Sequence, residues 1–471
     1  MIVTKLVIKH KNYEIINCEF NNTNIDSSSI YKTLIIGQNA SGKSFMLRQI
    51  CDVFEMIEQY VNTEKIRRTS KRYDHYEISY LLDQDEYMVI IDKQSKVIIV
   101  KNKEMVSITE LLLPKKVIAT TYLFDDKFKF SRNDNSEESI YYYGGTKTTS
   151  NAIFTSNSQL DLLRYITKFI NTSKQSVLTE ILQYLGYSSN LKILIRFKNV
   201  NLDRLVERRM SKNLVSNRIK KIDELNKIEE VRELYEIKDL VNISLNLSNA
   251  ITDQMFEKIK KIQILEEIGA IKSIDILLKK ESIEVPYEYC SSGEKQLLFT
   301  FMKIGTAIEE NSIVLIDEPE SSLHPSWQIR YIKDLEEIFL RLNFKVHFII
   351  SSHSAYMISS MEKETSSLVT VKSNNKNNRL EREFELVQYS TYAWSMENIL
   401  YEVFNMRTTR NFYFLKDMEN LIDLVENSTT DFKKLDEKIK KLKQYSLSNA
   451  DPLNNIIEIA EEYYNENKEN K

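Results

Sequence analysis

Eight consecutive residues, Gly37-Gln38-Asn39-Ala40-Ser41-Gly42-Lys43-Ser44, constrain this chain more than any other part of it. Two glycines bracket four residues and are followed by a lysine and a hydroxyl side chain. An apolar run, Thr33 to Ile36, comes before, and a helical pattern opens at about Lys43. Glycines let the backbone N–H groups of such a loop turn inward as a concave anion site. The N-terminus of the following helix adds partial positive charge. Lys43 has the reach to touch terminal phosphates, and the Ser44 hydroxyl is a ligand for Mg²⁺. Strand, loop and helix in that order predict an α/β head that grips a polyphosphate.

A second run, Ser312-Ile313-Val314-Leu315-Ile316-Asp317-Glu318-Pro319, is an apolar strand ending in two carboxylates. Asp317 suits the shell of a metal ion, and Glu318 suits the orientation or deprotonation of an attacking water. Such an ending also occurs at ordinary sheet edges, so its neighbours decide the reading. Upstream lies Cys290-Ser291-Ser292-Gly293-Glu294-Lys295-Gln296, a serine-glycine turn leading into a helix. Downstream come Ser321-Ser322-Leu323-His324-Pro325 and then a strand, HFIISSH, that ends at His353. The chain has only eight glycines, and Gly37, Gly42 and Gly293 fall within these loops. Five elements in one order argue against chance assembly.

The Ser291–Gly293 turn resembles the LSGGQ signature of ABC-type ATPases, with Cys290 at the Leu position and Glu294 at the Gln position. IDEPESSLHP resembles the corresponding segment of the RecF/SMC/OLD-like AAA-family ATPases, including those of bacterial anti-phage modules (Septu, PARIS, retron-associated). The resemblance covers about residues 1–60, 115–128 and 286–360. It implies ATP and Mg²⁺ as cofactors and ATP hydrolysis as the activity. Gly37, Gln38, Asn39, Ala40, Ser41, Gly42, Lys43 and Ser44 would bind nucleotide, and Ser44 and Asp317 would hold Mg²⁺. Glu318 and His353 would be catalytic, with His353 at the γ-phosphate. Ser291 and Gly293 would reach the nucleotide of a second subunit, so a head-to-tail homo-oligomer is expected. One departure stands out: KKVIATTYLFDDKF has no glutamine where the Q-loop belongs. Thr121 and Asp126 are the candidates there for contact with Mg²⁺ or water, against the plainer reading of a loop leaving a strand. Tyr13 is a candidate for stacking on adenine, or an ordinary strand residue.

The fold expected is an ABC-type P-loop head, a mixed sheet plus an antiparallel meander, with a helical insertion and a helical C-terminal region. Residues 1–150 and 281–390 are read as the two halves of the head, 151–280 as the insertion and 391–471 as the C-terminal region. The meander is read from YEISYLL, EYMVII and KVIIV, separated by polar turns. The stretch 202–240 is read as one long helix or two, and from Ile219 to Leu240 apolar residues recur every three positions, which winds the apolar band around a helix of 3.6 residues per turn. A long two-stranded coiled coil needs a 3.5-residue period instead.

Lys and Arg (65) nearly balance Asp and Glu (68), so net charge offers no argument for nucleic acid. Local patches do raise it: Lys65, Arg67, Arg68, Lys71 and Arg72; the arm's Arg204, Arg208, Arg209, Lys212, Arg218, Lys220 and Lys221; and Arg407 with Arg410. DNA contact and a solvated face both fit them. Three unpaired cysteines and the lack of a signal-like N-terminus point to the cytoplasm. No apolar run nears the roughly 18 residues of a membrane span, so no membrane partner is expected. After Gly305 there is no glycine and after His353 no histidine. A fused TOPRIM or HNH nuclease is therefore not expected, and a separately encoded effector nuclease of either type is. The functional expectation is an ATPase subunit of an anti-phage complex that controls such an effector. A RecF/SMC-like DNA-repair ATPase and an ATP-locked, non-hydrolysing scaffold remain as alternatives.

Overall fold

The computed structural model describes residues 1–11, 13–21, 30–67, 72–121, 126–131, 139–145, 158–199, 204, 241–249, 251–267, 269–321, 323–362, 364–376, 379–388, 391, 393–404, 406, 408–427, 431–445, 451 and 453–468. They fall into two compact units, Met1–Met396 and Glu397–Lys471. Arg68 and Lys71 of the first basic cluster, the basic residues of the arm other than Arg204, Ser322 and Arg407 lie outside the described residues.

The larger unit opens with β1 (Ile2–His10), β2 (Tyr13–Glu19) and β3 (Ile30–Gly37), and the glycine loop then leads into helix α1 (Lys43–Thr63). The expected meander follows as β4 (His75–Leu82), β5 (Asp85–Ile91), β6 (Val97–Lys101) and the short β7 (Glu104–Met105). These strands form an antiparallel sheet in the order β2-β1-β4-β5-β6-β7. Next come β8 (Val117–Thr121) and β9 (Tyr141–Tyr143).

Residues 158–286 hold helices α2 (Ser158–Asn171), α3 (Gln175–Tyr184) and α4 (Asp253–Glu267). They also hold β10 (Asn190–Phe197), β11 (Val241–Asn246), β12 (Ile271–Lys280) and β13 (Ile283–Pro286), an antiparallel sheet ordered β11-β10-β12-β13. The helical reading of the insertion thus gains a sheet. Its register sets Leu191, Ile193 and Ile195 opposite Leu245, Ile243 and Val241, all buried.

The chain returns to the head with α5 (Ser292–Ala307), β14 (Ser312–Asp317), α6 (Pro325–Leu340), β15 (Val346–Ser352), β16 (Ser366–Lys376) and β17 (Arg379–Leu386). The central sheet runs β17-β16-β3-β15-β14-β8-β9, parallel throughout except for β17. Every residue of β14 and of β15 is buried, as strands covered on both faces require. Ile313, Leu315 and Ile349 point into a core shared with Met46, Leu47, Ile50, Phe54 and Ile57 of α1 and with Leu6, Ile8, Ile78 and Tyr80 of the antiparallel sheet. Helix α1 is therefore held between two sheets. On the other face Phe348 packs 5.8 Å from Phe339 of α6. This clamp fixes α1, and with it the loop at its N-terminus.

The smaller unit begins within α7 (Met396–Glu402) and continues with α8 (Phe412–Glu426), α9 (Phe432–Lys443) and α10 (Leu453–Lys468). Its core is Met418, Leu421, Leu435, Ile439, Leu442, Ile457 and Ala460. Among the described residues no helix is long and apolar enough to cross a membrane.

Candidate nucleotide site

Strands β3, β14 and β15 lie side by side in parallel, so their C-terminal ends meet at one edge of the sheet. In open α/β sheets that edge is where ligands bind. Gly42 adopts φ 107°, a conformation that L side chains rarely adopt, and so turns the loop directly into α1. Ala40 at φ 61° makes a second left-handed step.

The register pairs Asp317 with Ser351 across β14 and β15. The Ser351 hydroxyl donates to the Asp317 carboxylate, and Ser44 Oγ donates to Asp317 Oδ1 at 2.9 Å. Burial pushes the Asp317 carboxyl up from its ordinary value, and these two hydroxyls oppose that push. One buried carboxylate faced by two hydroxyls is a hard-oxygen donor set that fits Mg²⁺ completed by water and phosphate oxygens.

Lys43 Nζ donates to the carbonyls of Gly37 (3.0 Å) and Gln38 (3.3 Å), folding across its own loop. It stands 3.2 Å from His353 Nδ1 and 2.8 Å from Nε2. Burial lowers the Lys43 ammonium to about 8, against the pull of Glu318, Glu320 and Asp317. His353 Nε2 lies 3.0 Å from Glu318 Oε1. That hydrogen bond holds the Glu318 carboxyl below its usual range, so it is ionised at neutral pH. Glu318 has φ 49°, a costly conformation for a side chain of this kind. The strained turn points the carboxylate out of the strand toward the lysine and histidine. The backbone N–H of His353 donates to Glu320, whose carboxyl burial pushes up.

The loop, Lys43, Ser44, Asp317, Glu318 and His353 thus come together. Ser351 and Glu320, which sequence reasoning passed over, join them; both sit in strings already singled out, HFIISSH and IDEPESS. Thr121 ends β8 beside β14 and donates to the Asp317 carbonyl at 3.3 Å. The Asp126 carboxylate accepts from Phe128 N at 2.8 Å and from the Tyr143 hydroxyl. Ser291 caps α5 in a reciprocal box with Glu294: Glu294 N donates to Ser291 Oγ at 3.2 Å, and Ser291 N donates to Glu294 Oε2 at 2.8 Å. Among the described residues no hydrogen bond joins Ser291 or Gly293 to the Lys43–Asp317 group. Tyr13 is exposed and paired in register with His10.

A model of the AAA ATPase domain family matches residues 1–358. The chain is 26% identical to the Septu protein PtuA of Bacillus thuringiensis over 158 residues, 30% of this chain and 38% of that protein. It is 26% identical to the retron Ec83 probable ATPase of Escherichia coli over 259 residues, 52% of this chain and 45% of that protein. The chain therefore spans less than half the length of either relative. A solved SMC head domain from Thermotoga maritima is 12% identical, with a TM-score of 0.35 over 83% of this chain and all of that one (100%).

Proposed function

The chain belongs to the AAA ATPase domain family, and from that premise we propose that it binds and hydrolyses ATP as one subunit of a complex that controls a separate effector. The observation that carries this reading is the cluster at the sheet edge, where Lys43, Ser44, Asp317, Glu318 and His353 meet through bonds of 2.8–3.2 Å. Loop amides from Gly37 to Gly42 and the Lys43 ammonium take the phosphates. Ser44 and Asp317 hold Mg²⁺, which, when bound, neutralises charge on the outer phosphates. Glu318, ionised and aimed by its strained turn, accepts a proton from the attacking water. The His353 imidazole bridges the Lys43 ammonium and the Glu318 carboxylate, with Nε2 2.8 Å from the one and 3.0 Å from the other. The γ-phosphate would take over both partners, freeing Glu318 for the water. Thr121, tied to the Asp317 carbonyl, steadies the end of β14.

Ser291 and Gly293 are accounted for by a head-to-tail pair, in which one protomer's capped α5 N-terminus closes on its partner's nucleotide. On this reading 1–150 and 281–390 are the halves of the head, 151–280 an insertion and 391–471 an accessory region. The resemblance to the ATPases of Septu, PARIS and retron modules supports an anti-phage role and an effector nuclease of HNH or TOPRIM type. The deciding variant is Glu318→Gln. Turnover should fall at least about a hundredfold, while ATP-dependent assembly persists. Turnover equal to the parent's removes Glu318 from the chemistry. A parent that keeps ATP and releases no phosphate makes the chain a scaffold. Duplex binding that weakens steeply with salt moves the reading to a DNA-clamping ATPase.

A further inference from the structure

Strand β16 pairs with β3 as far as Val371 opposite Gly37, where β3 ends and the loop begins. The hairpin continues beyond that point, and Arg382 of β17 pairs with Ser373, two residues past Val371. At roughly 3.3 Å per residue, Arg382 stands about 6–7 Å beyond the end of β3, alongside the loop. Its side chain lies against the turn. A Cβ built on Gly42 would sit 2.4 Å from Arg382 Nε and 2.5 Å from its Cδ. The guanidinium carbon is 5.2 Å from the centre of the Phe45 ring, a cation–π contact that fixes the planar group. Arg382 Nε is shut off from solvent and has no acceptor among the described residues. Ser41 Oγ, in the same turn, is buried and likewise without a partner there. Two orphaned donors at one turn oppose folding unless an acceptor reaches them.

We propose that Arg382 is a nucleotide-phosphate ligand, delivered by the sheet-edge hairpin to the site of its own chain. It contacts the phosphates nearest the Gly42–Phe45 turn, not the terminal one. Lys43 Nζ, Glu318 and His353 form the hydrolytic end. The turn's amides cradle the α- and β-phosphates in loops of this pattern. A guanidinium held flat by Phe45 offers them a fixed, permanently charged donor fork. Position 42 then needs glycine twice, for its φ and for the space the arginine stem fills.

The proposal rests on the nucleotide-binding reading, and the tests separate the two. Calorimetry with ATP, ADP and adenosine on the full-length chain is compared for the parent, Arg382→Ala, Arg382→Lys and Arg382→Met. Methionine keeps packing over Gly42 and Phe45 without the charge. Arg382→Ala and Arg382→Met should raise the Kd for ATP and for ADP alike by about ten- to a hundredfold. Arg382→Lys should recover part of the loss, adenosine affinity should not move, and the kinetic penalty should fall on KM. A parent that binds no nucleotide defeats the underlying reading. A parent that binds, with a methionine variant that binds ATP and ADP equally well, overturns this inference alone. A loss confined to ATP also overturns it, because the guanidinium would then serve the terminal phosphate.

Discussion

At the scale of single residues, function and stability compete at Asp317. Its carboxylate is 1% exposed and served by two hydroxyls, with burial opposing its charge. An amide there keeps a hydrogen-bond acceptor for Ser44 and Ser351 and removes the charge. Asp317→Asn should therefore melt no lower than the parent without nucleotide, while Mg²⁺-dependent ATP turnover falls by at least about a hundredfold. Thermal melts and phosphate release check this together; a clear loss of stability without nucleotide would show that the charge itself holds the strand ends. The residues legible in the sequence, Lys43, Ser44, Asp317, Glu318 and His353, share one property: each is part of a short string whose chemistry is local. Ser351 was hidden because its role depends on pairing with Asp317 across two strands. Arg382 was hidden more deeply, because only the pairing of β16 with β3 brings it to Gly42.

At the scale of elements, burial joins strands that are far apart in sequence. His347 of β15 is fully buried. Val3 N of β1 donates to its Nδ1 at 3.1 Å, which leaves the ring proton on Nε2, 2.9 Å from Thr33 Oγ1 of β3. Thr33 in turn lies 2.8 Å from Ser367 Oγ of β16. Desolvation lowers the imidazole to about 3 from its ordinary value of 6.5, and the N-terminal amine adds to that fall. Between these two values the unfolded chain binds a proton that the folded chain refuses. Stability is thus complete above about 6.5 and is lost as pH drops toward 3, by about 1.4 kcal/mol per pH unit from this group. Urea midpoints of the parent and His347→Gln should converge as pH falls through that window; a constant difference would mean the ring is not neutral in the fold. The meander and the parallel strands could be foreseen because their period-two and continuous apolar runs are unbroken. The sheet β11-β10-β12-β13 could not, although Val241, Ile243 and Leu245 alternate cleanly with exposed residues. Its strands lie among helical stretches, and only pairing across the insertion gives them a shared buried face.

At the scale of the whole molecule, the serine-glycine turn at the start of α5 tests the assembly. Ser291 is exposed, and its bonds are spent on capping its own helix. Replacing it with glutamate should cost about 1 kcal/mol of cap and place a negative charge where a partner's phosphates would come. Lys43→Ala disables the loop instead. If each site takes Lys43 from one protomer and Ser291 from the other, both single variants are inactive alone. A mixture of the two is not. Heterodimers of a symmetric pair then hold one intact site, built from the Lys43 of one chain and the Ser291 of the other. Random exchange makes half the dimers mixed, so activity should return to roughly a quarter of the parent's at equal total chain. Phosphate release measured across mixing ratios should peak near equal amounts. A flat line at zero would mean that each chain carries its whole site alone, and the Ser291 turn would then be only the cap of its helix.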